Sequence, residues 1–264
     1  MGAIKTIRTL CLAAIFFSAG CQPRDPSYSA IGDSNPGETP TTKTVRNDTP
    51  VTYLNPDLSE SFVDGRDVKT VIGKATLSVR AIGELSVPTG SLVACDPFVF
   101  FDAKPFTQKV PIGTFPVLAS IAQLDGEERV AYLTLKISDE PTVRWELALL
   151  QGQDTKALKP GKYFGYSVDA GTGSLMDAKA AAVFLKKLEK EAWDNKLDYT
   201  NSMMKEIDEH EVKTWSWGNF KLEESDANLI TISSGLGDGS YPSYFGFDSQ
   251  GRVTSFITDF LVVD

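Results

Sequence analysis

The sequence predicts an α+β fold, mainly antiparallel β-sheet and sandwich-like, with one long helix and one shorter one. Three observations lead there: short apolar runs bounded by turn residues recur along the chain, two of them flank a tight-turn sequence, and one long segment carries a helical stripe. The expected strands are Ala75 to Ile82, Ser91 to Cys95, Val117 to Ala122, Val130 to Ile137 and Val143 to Leu150. Leu229 to Ile232, Tyr241 to Phe247 and Val253 to Val263 follow. The last two make a hairpin around Asp248-Ser249-Gln250-Gly251, with Gly251 supplying a positive φ. From Leu175 to Trp193, residues Ala181, Phe184, Leu185, Leu188 and Ala192 recur at helical spacing, with the charged residues mostly off that stripe. A shorter acidic helix is expected from Ser202 to Glu209. No internal repeat is visible, and residues 51–264 suffice for a single domain.

The amino-terminal end has a different character. Lys5 and Arg8 precede an unbroken apolar run from Leu10 to Phe17, then the small residues Ser18, Ala19 and Gly20, then Cys21. A basic start, a short apolar stretch and small residues before a cut point make a secretory signal of residues 1–20. The run falls short of the ~20 residues that cross a bilayer. The sequence before Cys21 resembles the lipobox of bacterial lipoproteins, although Ser18 stands where that pattern usually has Leu. The resemblance implies lipidation at Cys21 and a chain held on a membrane of the cell envelope. From Gln22 to Pro50 the residues are mostly Pro, Ser, Thr, Asn, Asp and Gly, a composition that cannot offset the entropy of ordering. Residues 21–50 thus read as lipidated cysteine and tether.

Charge and cysteine content agree with an extracytoplasmic protein. Cys11 leaves with the signal and Cys21 carries lipid, so Cys95 stands alone and pairs in no internal disulfide. Loss of Lys5 and Arg8 lowers the basic residues from 26 to 24 against 35 acids, a net charge of −11. Such a surface repels nucleic acid and favours cationic partners or metal ions.

Two segments depart from ordinary strand-and-turn composition. In Tyr166 to Asp177 a strand ends at Asp169, a loop with Gly171 and Gly173 follows, and the long helix is expected to start near Thr172 or Ser174. Ser174 and Asp177 then look like a variant capping box. Asp177 is also four residues before Ala181 and seven before Phe184, on the apolar stripe, where a carboxylate must be hydrogen-bonded, paired or coordinating. Asp169 could converge with it. In Ser234 to Asp248 the glycines Gly235, Gly237 and Gly239 alternate around Leu236 and Asp238, followed by Tyr241 and Tyr244. Asp238 either caps backbone amides there or anchors a binding rim walled by the two tyrosines. The string Asp169-Ala170-Gly171-Thr172-Gly173 is similar to the phosphate loop of actin-like ATPases, but that fold needs two such loops in two similar halves. His210 is the single histidine, in an acidic run that reads as solvated surface, and no Gly-x-Ser-x-Gly elbow exists. Catalysis would have to run on carboxylates, tyrosines and a hard metal ion.

Asp96-Pro97, Pro111 to Val117, Trp145 to Ala148, Tyr166 to Asp177, Ser234 to Phe247 and Asp259-Phe260, in that order, resemble a family named domain of unknown function 4241, over roughly Gly83 to the end. Leu236 stands where the family pattern leads one to expect an aromatic residue. The resemblance implies a shared fold and shared Asp and Gly positions, Asp96 among them, and no established activity. Two function classes follow. One is a non-catalytic binding module at the envelope that needs no cofactor, immunity-like in neutralising or sensing another protein. The other is a hydrolase using Asp169, Asp177 and Asp238 around a divalent cation.

Overall fold

The computed structural model describes residues 53–54, 56–100, 102–223 and 225–264, so the signal, Cys21 and the tether lie outside the described residues. Among the described residues, fourteen strands form two main antiparallel sheets and a small ribbon. The larger sheet runs, in spatial order, β1 (Asp67–Thr70), β2 (Gly73–Val87), β4 (Gly113–Gln123), β5 (Glu128–Lys136), β14 (Val253–Asp259), β13 (Ser243–Phe247) and β6 (Arg144–Leu147). It curls into a half-barrel. The second sheet runs β3 (Leu92–Cys95), β8 (Thr172–Asp177), β11 (Asn228–Ser233), β10 (Trp215–Lys221) and β9 (Glu211–Val212). β7 (Tyr166–Val168) and β12 (Gly239–Tyr241) pair as the ribbon. The described helices are α1 (Ala178–Asp194) and α2 (Asp198–Glu209). The α+β class dominated by antiparallel sheet is therefore as expected.

Side chains alternate across a strand, and here the two faces of the second sheet bury different partners. Leu92, Ala94, Leu175, Ile230 and Ile232 point into the main core shared with the larger sheet. Their neighbours Val93, Cys95, Met176 and Leu229 face the helices and meet Phe184 and Met203. A strand covered on both sides shows no polar alternation, so β8 reads in sequence as the opening of the helix that follows. Extended pairing with β3 and β11 holds residues 172–177, and α1 begins only at Ala178. α2 starts a turn earlier than expected, at Asp198. The buried Glu191 of α1 supplies its cap, accepting hydrogen bonds from the amides of Tyr199 and Thr200 and from the Thr200 hydroxyl.

Other elements differ from expectation as well: β2 and β4 are longer than read, and β6 is shorter. β10 has no counterpart in the sequence reading, because Ser216, Gly218 and Asn219 break its apolar run. Pro242 separates β12 from β13, splitting the expected Tyr241–Phe247 strand. β14 stops at Asp259, and Leu261 turns away at φ 55°. The hairpin between β13 and β14 forms as expected, with Gly251 at φ 78° and Asp248 receiving the amides of Gln250 and Arg252.

Polar clamps tie the two sheets together. Asn228 on β11 accepts the Ser86 amide and donates to the Glu84 carbonyl of β2, each at 2.8 Å. Glu128, buried at the start of β5, accepts from the Trp215 indole and the Lys213 ammonium, each at 3.0 Å, with Arg80 at 3.8 Å. Burial alone would raise its pKa; the Trp215 and Lys213 hydrogen bonds and the charges of Lys213 and Arg80 outweigh burial and lower it. Glu128 therefore adds stability above the unfolded-state pKa, and that contribution fades as pH falls through the lower folded value. Lys213 and Arg80 remain solvated in its absence, so the main loss in Glu128→Ala is the stranded Trp215 N–H. Urea melts at pH 7 should show a cost of about 1–3 kcal/mol, shrinking toward acid pH.

Candidate functional site

The conspicuous loops of the sequence meet at one end of the second sheet. β3 ends at Cys95, opposite Ser174 of β8, and the next residue is the buried Asp96. One Asp96 oxygen accepts the Asp169 and Ala170 amides at 2.9 and 2.6 Å, and the other accepts the Phe98 amide at 2.9 Å. Burial raises the Asp96 pKa against the pull of these three donors, and the neighbouring Asp169 adds to the rise. The next amide along, Gly171, donates to Asp238 at 3.2 Å. Three successive amides of the 169–171 loop are thus held by carboxylates from two other segments.

The Ser234–Gly239 loop is fastened to the same place. Ser234 donates its amide to the Gly171 carbonyl, and its hydroxyl donates to the Gly237 carbonyl at 2.7 Å. The Tyr241 hydroxyl donates to that Gly237 carbonyl at 2.7 Å from beneath. Gly235 has φ 46°, and a Cβ there would lie 2.7 Å from the Phe260 carbonyl oxygen, so the chain needs glycine at that point. Above this base Asp169, Leu236 and Asp238 face outward, Leu236 with 48% of its surface exposed. Partial burial raises the Asp238 pKa, with the Asp169 charge adding to it against the Gly171 N–H. The two carboxylates therefore stand close together on an acidic rim.

Several expectations change. Asp177 does not join this cluster. It ends β8, about 17 Å of extended chain from Thr172 at 3.3 Å per residue. There it is the N-cap of α1, outside the helix, and not a side chain on the helix's apolar stripe. Its carboxylate accepts the Lys179 amide at 2.8 Å, and the Thr89 amide at 3.0 Å together with the Thr89 hydroxyl. Ser174 caps nothing; its hydroxyl donates to the Cys95 carbonyl across the β3–β8 ladder. Tyr241 and Tyr244 are 5% and 1% exposed and cannot wall a rim. Burial pushes the Tyr241 hydroxyl up to about 12. Gly171 and Gly237 take left-handed φ, whereas Gly173 and Gly239 are strand residues. A Cβ on Gly173 would lie 2.7 Å from the Tyr166 hydroxyl, which explains the glycine. Cys95 packs in its strand as expected, burial pushing its thiol up to about 12. His210 is half-buried against the Trp217 ring at 4.1 Å, not simply solvated.

Among the described residues no group of three or more His, Cys, Asp or Glu side chains is placed to hold a metal ion. No described helix is long and apolar enough to cross a membrane. Glu128 has no counterpart in the sequence reading, and Asp259 entered it only through the family resemblance. Each is an acid at the end of an apolar strand, the only local sign either gives.

The model of a family described as "Protein of unknown function (DUF4241)" matches residues 85–258. That span holds Asp96, both loops and all of the second sheet. Searches of curated proteins and of solved structures return no match.

The two ends of β8 should respond differently to substitution. Asp177→Ala removes a helix cap and strands the Thr89 donors, and should cost at least about 2 kcal/mol in urea melts. Asp177→Asn keeps one acceptor oxygen and should fall between the two. Asp238→Asn, on the exposed rim, should stay within about 0.5 kcal/mol of wild type.

Proposed function

The chain belongs to this family of unknown function, and on that premise we propose that it is a non-catalytic binding module tethered to the cell envelope through lipid on Cys21. The observation that carries the binding reading is the rim formed by Asp169, Leu236 and Asp238 on a base of fixed hydrogen bonds. Asp96 spends its acceptors on the amides below, so the loops are held before any partner arrives. An exposed leucine between two acids offers apolar contact inside a negative field, which suits a basic patch on another envelope protein. Net charge of −11 in the processed chain extends the same preference over longer range. The tether would let the domain search for that partner close to the membrane.

The divalent-metal hydrolase required Asp169, Asp177 and Asp238 on one ion. With Asp177 capping α1 at the far end of β8, that constellation has no support.

Three measurements test the proposal. Cys21→Ser should move the protein from the membrane fraction to the soluble one; wild type that is soluble with an unmodified Cys21 would overturn the anchoring. In pull-downs from envelope extracts, Asp169→Lys with Asp238→Lys should weaken partner capture on the order of tenfold, and added salt should weaken wild type likewise. Capture indifferent to both would remove the rim from the interface. The melting temperature should stay flat across millimolar calcium, magnesium and manganese. A rise that grows with ion concentration and vanishes in Asp238→Asn would return a metal site to consideration.

A further inference from the structure

Trp193 is the most exposed large apolar side chain among the described residues, with 89% of its surface open. It sits in the last turn of α1, and helical spacing decides its company. Lys179, Ala182, Lys186 and Lys190 recur at intervals of three and four residues before it, so the five share one side of the helix over about 21 Å. All five are exposed. Ala180, Phe184 and Glu191 make the buried side, half a turn round.

This outer side differs in charge from the rest of the chain. Residues 178–196 hold five lysines and three acids, in a protein with more acids than bases. One of the three, Glu191, is turned inward onto the start of α2. Asp194 pairs with Lys190, Lys179 lies 3.9 Å from Asp226, and Glu189 stays exposed. Lys187 flanks the row and sits 5.7 Å from the Tyr199 ring. No arginine stands on α1. Protein interfaces enrich arginine along with aromatic rings and are depleted in lysine, so an exposed ring in a row of lysines does not have their composition. It has that of a helix at a bilayer surface. There an indole sits at headgroup level, while lysine stems lie along the apolar boundary and their ammonium groups meet lipid phosphates.

We propose that the outer side of α1 rests on the anionic surface of a lipid bilayer, with Trp193 at headgroup level and Lys179, Lys186 and Lys190 against the phosphates. The acidic remainder opposes such contact elsewhere, including α2 with its exposed Asp198, Asp208 and Glu209. Contact is therefore confined to this face, and the domain is held in one orientation. A tether of residues 21–50 would allow it, since a flexible coil of that length spans about 30 Å. The face extends the envelope reading, which supplies the membrane, but it is assigned on its own residues.

The test mixes the full-length protein with phosphatidylcholine vesicles whose acyl chains carry bromine, with and without phosphatidylglycerol, and reads tryptophan quenching. The part of the quenching that disappears in Trp193→Phe belongs to Trp193. It should be present only with phosphatidylglycerol and should be reversed by added salt. Lys186→Gln with Lys190→Gln should lower the ratio of docked to undocked protein on the order of tenfold, and Lys186→Arg with Lys190→Arg should restore it. All these positions are exposed, so an unchanged melting temperature is expected of each variant. Quenching of Trp193 that is equal on both kinds of vesicle, absent from both, or unchanged in the glutamine variant overturns the proposal. The same readings on Cys21→Ser separate the face from the anchor. Quenching of Trp193 in a protein without lipid on residue 21 leaves the face standing by itself. A protein that floats with the vesicles while Trp193 stays unquenched keeps its anchor and loses the face.

Discussion

The carboxylate of Asp177 is the point on which the second sheet and its helices depend. A strand buried on both faces cannot simply continue into a helix, because the first helical amides lose their partners as the backbone turns. Asp177 stays extended, at φ −80° and ψ 155°, and turns its side chain back onto the Lys179 amide. The same group holds the amide and hydroxyl of Thr89, where the chain crosses from β2 to β3. The Ala178 amide then reaches the Ser91 carbonyl. One buried charge thus fixes where β8 stops, where α1 starts and how the crossing from the larger sheet is laid down. Asp96 does comparable work at the other end of the β3–β8 ladder, on amides of the loop that leads into β8.

These two acids also mark how far the sequence could be read. The hairpin at Gly251, the apolar runs of β4, β5 and β11, and the body of α1 announce themselves locally, through turn residues and periodicity. Asp177 was recognisable as a residue that had to be satisfied, since the position expected for it on the helical stripe ruled out solvent, although the structure places it before the helix as its N-cap. What satisfied it was not recognisable, because Thr89 is 88 residues away. Leu175 and Met176 are apolar residues that either the opening of a helix or a two-sided strand accepts, and only pairing with Val93, Ala94, Leu229 and Ile230 chooses between them. Tyr241 and Tyr244 failed for a related reason. An aromatic residue beside a glycine-rich loop can prop the loop from inside or wall it from outside, and composition does not distinguish the two.

The buried acids also show why carboxylates in this chain differ in their charge state. Glu128 meets two cations and an indole N–H, and its pKa falls despite burial. Asp96 meets only backbone amides, three of them, and its pKa rises. Neutral donors lessen the desolvation penalty, whereas full charges reverse it. Asp259, with a single amide donor, lies further along the same series, and burial raises its pKa to about 7. The order follows the donors each group is given.

Rigidity is the property that connects this chemistry to recognition. A loop that orders only on binding gives up part of its interaction energy to conformational entropy. In the 169–171 and 234–239 loops most of that cost is met on folding, through Asp96, the Ser234 turn and the Tyr241 hydroxyl. The exposed groups carried on them, Asp169, Leu236 and Asp238, are then presented in a fixed arrangement. Rim charges contribute little affinity each and mainly steer encounter, so in the proposed binding the apolar contact would supply the hold. A leucine buries less area than an aromatic ring and offers no π face to a cation. The rim of this chain would therefore bind by charge steering and a modest apolar contact.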